Sequence, residues 1–188
     1  MHKMKIRTIT AFLATTLLSF GLSAQTTPIT NGIINWEGSK ITTDSHTGTL
    51  DISEGMLTFE ANALVGGSFT VDMNSMVCTD LSGKSAARLV GHLKSDDFFG
   101  VDEHPTASLT FTSVEASETG YTVTGDFTIR GITNAETFEL KIDGNTGTAD
   151  LEIDRSKYNV KFRSGSFFEN LGDKLINDEL KLRVSFAY

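Results

Sequence analysis

The C-terminal stretch Leu180-Lys181-Leu182-Arg183-Val184-Ser185-Phe186-Ala187-Tyr188 decides the fold class. Leu180, Leu182, Val184, Phe186 and Tyr188 fall at every second position, with Lys181, Arg183, Ser185 and Ala187 between them. A period of two sends successive side chains to opposite faces of an extended backbone, so this is a strand with one dry face and one wet face. The same alternation recurs through most of the chain. Phe69, Val71 and Met73 oppose Ser68, Thr70 and Asp72; Ala107, Leu109 and Phe111 oppose Thr106, Ser108, Thr110 and Thr112. Tyr121, Val123, Phe127 and Ile129 oppose Thr122, Thr124, Asp126 and Thr128. Phe138, Leu140 and Ile142 oppose Thr137, Glu139, Lys141 and Asp143, and Leu151 and Ile153 oppose Asp150, Glu152 and Asp154. Nearer the N-terminus a strand begins at about Ile33 and contains Trp36, after a loose lead-in from Gln25 to Ile29. Runs 49–53 and 56–61 flank Glu54-Gly55, which reads as the turn of a hairpin. Gly66-Gly67 reads as a tight bend or a close backbone approach, and one further short run lies near Tyr158 to Phe162.

Eight or nine half-buried strands must hide a whole oily face, by closing on themselves or by stacking as a sandwich. Nearly every connection is short, which favours an all-β, up-and-down antiparallel barrel. The exception runs from Thr79 to Asp102. Within it Leu89 and Leu93 stand four apart with Ala86 beside them, predicting a short amphipathic helix over 85–93. Asp96 and Asp97 suit a first helical turn better than a last one, and Ser95 can cap. A break at Lys94 and a second short turn carrying Phe98 and Phe99 follow, and the two pieces are expected to lie across one end of the barrel. Phe167 to Asn177 reads as a second lid.

Residues 1–24 read as a secretory signal peptide: Lys3, Lys5 and Arg7 precede an apolar run from Ile9 to Leu22, and Ser23-Ala24 precedes the expected cut. The run falls short of the roughly 20 apolar residues that span a bilayer, so no stable membrane anchor is expected. Residues 25–188 are then a single domain, periplasmic or secreted. The chain has 16 Lys and Arg against 24 Asp and Glu, a net charge of -8, and three of the cations belong to the leader. Such acidity argues against nucleic acid and against an anionic membrane surface as partners, since both reward clustered Lys and Arg. Cys78 is the sole cysteine, so an internal disulfide is ruled out; between Val77 and Thr79 it reads as a small buried apolar residue. A last strand left unpaired would offer an edge for a homodimer, whereas barrel closure removes that edge.

The sequence holds no nucleophile elbow, phosphate-cradling loop or dinucleotide fingerprint. His46, His92 and His104 are far apart and read as surface polar residues rather than metal ligands. Neither His46 nor His92 has an oriented partner in the local sequence, so a general-base role is not supported. A non-enzymatic protein without a cofactor is expected. Aromatic side chains on the dry faces are plentiful, and a barrel of this size either fills its interior or holds one ligand.

His92-Leu93-Lys94-Ser95, then Asp97-Phe98-Phe99, then Pro105 and the strand to Phe111 resemble the central signature of the YceI-like proteins, exported bacterial proteins associated with polyisoprenoid binding. Further matches run in order along the chain: Trp36-Glu37-Gly38-Ser39-Lys40, His46-Thr47-Gly48, Gly67 to Met73, Ile129-Arg130-Gly131-Ile132-Thr133, Ile153-Asp154-Arg155, and Ile176 to Leu180. His104 stands before the proline where that family often has an aromatic residue, and Gly100 replaces a common acidic one.

The resemblance implies an extended, eight-stranded lipocalin-like antiparallel β-barrel with short helical crossover segments, whose apolar interior holds a long isoprenoid, polyprenyl or quinone-like, for carriage or storage. A carrier of fatty acids or fatty amides, or a stress-protective barrel with a filled core, are the alternatives. Trp36, Phe59, Phe69, Leu93, Phe98, Phe99, Phe111, Phe127 and Phe138 are the expected lining of the cavity. His46 and His92 are expected near the ligand's polar end, with Lys40 and Arg155 as further candidates; for Arg155, structural hydrogen bonding is the preferred reading.

Overall fold

A computed structural model describes residues 23–42 and 44–188, so all of the expected leader except Ser23 and Ala24 lies outside the described residues. The chain forms strands β1 (Gln25–Pro28), β2 (Asn31–Lys40), β3 (Ser45–Glu60) and β4 (Ala63–Cys78), then helix α1 (Gly83–Lys94). Strands β5 (Thr106–Ala116), β6 (Tyr121–Ile129), β7 (Ile132–Asp143), β8 (Thr146–Asp154) and β9 (Ile176–Ala187) follow. Each of β2 to β9 pairs antiparallel with its neighbour in sequence, and β9 closes on β2. The result is the expected eight-stranded up-and-down barrel, and β9, paired on both sides, offers no free edge. Among the described residues no helix is long and apolar enough to cross a membrane.

The two ends of the barrel differ. At one end the strands are joined by tight hairpins. Ala61 and Asn62, between β3 and β4, both have positive φ (47° and 65°), the backbone that a two-residue hairpin of right-handed twist requires. The connection from β4 to β5, with α1, and the one from β8 to β9 both lie at the other end, called here the helix end. The helix occupies the predicted segment with one or two residues added at each side. Ser95 ends it, and its carbonyl accepts from the Phe98 and Gly100 amides, forming the expected second turn.

Three readings of the strand pattern are corrected. Glu54-Gly55 is not a turn: β3 runs through it, with a bulge between Ile52 and Glu54. Its glycine serves a close approach, since a Cβ there would lie 2.8 Å from the Ile29 side chain. Gln25–Pro28 is not a loose lead-in, because β3 outruns β2 and pairs its spare edge with β1, Gln25 opposite Phe59 and Pro28 opposite Met56. The run from Tyr158 to Phe162 is not a strand; a 3-10 turn over Arg155–Tyr158 bends the chain across the helix end.

That bend is held by Arg155, which is 1% exposed. Its Nε donates to the Asn177 carbonyl at 3.1 Å, Nη1 to Val160 at 2.8 Å and Nη2 to Ile176 at 3.0 Å. Nη2 also lies 3.1 Å from Asp178 Oδ1, and the other oxygen of that carboxylate accepts from the hydroxyls of Ser164 and Ser166. The guanidinium carbon sits 5.4 Å from the centre of the Phe98 ring. Burial pulls the Arg155 pKa down, and Asp178 and Asp154 push it back. Arg155 is thus the structural residue that the sequence reading preferred.

A smaller clasp ties the start of the long crossover to β3. Asp80 Oδ2 lies 2.8 Å from His46 Nδ1, and its Oδ1 accepts from the Thr47 amide at 2.9 Å and from Cys78 Sγ at 3.2 Å. Cys78 is therefore a half-buried thiol with a polar partner, not an apolar filler. Hydrogen bonds from His46, the Thr47 amide and Cys78 hold the Asp80 carboxyl down at about 2.

Arg155→Met leaves three carbonyls and a carboxylate without their partner and is expected to destabilise the fold by about 3–5 kcal/mol in urea unfolding; a loss below about 1 kcal/mol contradicts the role assigned to it. Because the Asp80 pKa is lower folded than unfolded, its contribution is full above the ordinary value of 3.8 and is lost as pH falls through about 2. The stability difference between the parent and Asp80→Asn, followed by thermal unfolding, should therefore close over that interval.

Candidate ligand cavity

The inward faces of the strands do not meet in the middle. They enclose a cavity of about 320 Å³ lined by apolar side chains of every barrel strand. Val71, Leu109, Phe111, Leu151, Leu182 and Val184 point into it and are only half-buried, although they stand on the dry face. Towards the hairpin end the interior is filled. Leu57 and Val123 have no exposed surface, Leu64 and Leu140 almost none, and the Phe59 and Tyr188 rings pack 5.6 Å apart there. The cavity is thus blind at the hairpin end and reaches α1 at the other.

Aromatic rings run round its wall. Phe186 lies 5.1 Å from Phe69, Phe69 lies 5.7 Å from Phe111, and Phe138 lies 6.1 Å from Phe111 and 5.9 Å from Phe127. Glycine opposite two of the large inward rings makes space for them. Gly147 pairs with Phe186 and Gly48 with Trp36 across neighbouring strands. A Cβ on either would lie within 2.3 Å of the facing ring.

A second aromatic cluster forms the lid. Leu89, His92 and Leu93, at i, i+3 and i+4 on α1, turn to the cavity. The His92 ring stands 5.5 Å from Phe98 and 4.4 Å from Phe162, and Phe98 stands 5.7 Å from Phe99. Lys94 Nζ on the Asn74 carbonyl at 2.7 Å, and an Arg130 Nη1 bond to the Phe98 carbonyl, pin the lid to the barrel.

Polar groups are few and placed towards the helix end. Trp36 Nε1 and His92 Nε2 are buried without a hydrogen-bonding partner among the described residues. Such an atom is costly to leave unmade, and a bound molecule is one way to satisfy it. At the rim, Lys40 pairs with Asp44 at 3.2 Å, His46 with Asp80, and the Arg163 guanidinium lies 5.1 Å over the Phe162 ring.

Of the residues expected to line a cavity, Trp36, Phe69, Leu93, Phe98, Phe99, Phe111, Phe127 and Phe138 do so, together with His46, His92 and Lys40. Phe59 is not in the lining; it has the right face but lies below the floor, against Tyr188. Arg155 is also outside it. Phe162 and Phe186 belong to the wall and were missed: Phe186 was legible from its alternation, whereas Phe162 lies in a loop without period. His46, which has no oriented partner in its local sequence, finds one in Asp80, 34 residues away. Phe167 and Phe168 of the supposed second lid point outward, 42% and 49% exposed.

Comparison with known proteins follows the same lines. A UPF0312 protein of Staphylococcus aureus (strain USA300) is 33% identical over 125 residues, 61% of this chain and 68% of that protein. Its counterpart in strain MSSA476 is 43% identical over a stretch of the same length. Among solved structures, BcnA of Burkholderia cenocepacia superposes with a TM-score of 0.65 at 19% identity, covering 84% of this chain and 96% of that one. A polyisoprenoid binding domain from Saccharophagus degradans gives 0.56 at 12% identity, covering 88% and 98%. At such identities the superpositions bear on the fold. The description of the YceI-like domain matches residues 26–188, and with these relatives it places the chain: it belongs to the YceI-like family.

Proposed function

We propose that this chain is an exported, non-enzymatic carrier or store for a long isoprenoid, polyprenyl or quinone-like, with the chain of the lipid in the barrel and its oxygenated end beneath α1. The observation that carries the reading is the apolar cavity, blind at the hairpin end and lined towards the helix end by Trp36 and His92, whose Nε1 and Nε2 atoms are buried without a partner among the described residues. A hydrocarbon needs a dry tunnel along its length and few donors, which is how ligand pockets of this kind are usually built. Burying each methylene-sized unit is worth about 0.8 kcal/mol, so partial insertion already gives useful affinity. The indole N–H only donates, so the group it meets must be an acceptor.

Two observations favour an isoprenoid over a fatty acid. A carboxylate calls for a cation, and two of the basic side chains in the lining already face a carboxylate of this chain: Lys40 that of Asp44 and His46 that of Asp80. A neutral head group needs none. The solved relative from Saccharophagus degradans is described as a polyisoprenoid binding domain, which supports the same class of ligand here. The apolar run that precedes the domain supports export and with it a periplasmic or secreted location.

Mass spectrometry of an organic extract from natively purified protein should show an isoprenoid; a fatty acid or fatty amide in its place gives the fold a different ligand class, and no lipid at all favours a protective barrel. Phe111→Trp is expected to lower ligand occupancy while the barrel still folds cooperatively, because the Phe111 ring already lies against Gly67 and a larger ring has only the cavity to enter. Unchanged occupancy removes Phe111 from the site. Trp36→Phe keeps the ring and deletes the donor; the affinity for an isoprenoid alcohol or quinone should fall about 2- to 10-fold in a fluorescence titration, in line with one hydrogen bond.

A further inference from the structure

We propose that the helix end of the barrel carries a docking face for a phospholipid bilayer, formed by Phe167, Phe168 and Ile41 with the cations Lys161 and Arg163 among them. Large apolar side chains exposed on the strands stand singly, which is ordinary. Those exposed in loops are different. Phe167, Phe168 and Ile41, the last 58% exposed, all lie at the helix end, and the Ile41 amide bonds to the Leu175 carbonyl, joining the two loops that carry them.

The loop holding the two phenylalanines is built to present them. Ser164 is fully buried, its hydroxyl is fixed on Asp178, and its carbonyl accepts from the amides of both Phe167 and Phe168. Lys161 Nζ lies 5.2 Å over the Phe167 ring. Rings with cations beside them suit the boundary between headgroups and acyl chains, where the ring enters and the cation stays with the phosphates.

A cleft of about 470 Å³ beside the rings is lined by Arg130, Lys161 and Arg163 against Asp96 and Asp97, with Phe168 on its wall. Three cations against two acids leave the cleft one positive charge in excess on a chain whose net charge is -8, which is complementary to lipid phosphate. The acidity of the whole chain argues against such a surface, and Glu169 and Asp173 share the loop with the two rings; the cleft beside the rings is where cations outnumber acids. Phe162 and Arg163 line both this cleft and the ligand cavity, so the docking face is continuous with the helix end of the barrel. The inference rests on the lipid-carrying reading in one respect: a lipid passed from bilayer to barrel here need not expose its chain to water.

The test is flotation of the full chain with vesicles of phosphatidylethanolamine and phosphatidylglycerol, the parent beside a Phe167→Ser/Phe168→Ser variant, so that any effect of the N-terminal apolar run is common to both. The parent should float and the variant should lose about tenfold or more of its vesicle binding. Uptake of a vesicle-borne isoprenoid alcohol should slow in the variant, while its affinity for the same alcohol dispersed in detergent stays unchanged. As a second variant, Phe168→Trp should show a blue-shifted emission on adding vesicles. Equal flotation of parent and double variant overturns the proposal, as does a parent that stays off the vesicles and instead self-associates through these residues in sedimentation. If neither protein binds the detergent-dispersed alcohol but only the parent floats, docking stands and the carrier reading falls.

Discussion

One guanidinium holds the helix end of this barrel together. Arg155 satisfies carbonyls on both sides of the long β8–β9 connection, meets Asp178 on β9 and lies against the Phe98 ring of the lid. Hydrophobic burial cannot do this job, because the connection brings several carbonyls into a site with almost no water contact, and a buried carbonyl must be paired. A cation with five donors in a planar fork pairs them at once. The lid, the cavity rim and the outward-facing phenylalanines all take their places from that arrangement.

The cavity follows from a balance of shape. An interior bounded by eight strands has room for more than the side chains that line it, and close packing is the norm in proteins. Here the hairpin end obeys that norm, with Leu57 and Val123 fully enclosed, and the middle does not. Packed floor, ring-lined wall and pinned lid give a cavity with defined sides, which is what ligand binding without large rearrangement requires.

Most of the fold was legible because every strand of the barrel, β2 to β9, has a dry face and a wet one, so a period of two named both the strand and the side that turns inward. Alternation does not encode depth along the barrel, which is why Phe59 and Phe111 look alike in sequence yet one closes the floor and the other lines the cavity. Nor does it reach loops: Phe162, which turns in, and Phe167 and Phe168, which turn out, have no period to separate them. Gly55 was read as a turn because glycine marks turns and close approaches alike. Asp80 could not be assigned to His46 from sequence, since it is the register of the long β3–β4 pair, with Gly48 opposite Cys78, that brings the start of one strand beside the residues that follow the other.

The hollow middle also sets how the molecule should respond to compression. Hydrostatic pressure favours the state of smaller volume, and unfolding removes the internal space that packing leaves. A barrel of about 320 Å³ internal space therefore loses more volume on unfolding than a filled barrel of equal length. A lipid in that space takes the difference away, so pressure tolerance becomes a measure of loading that does not depend on which lipid is bound.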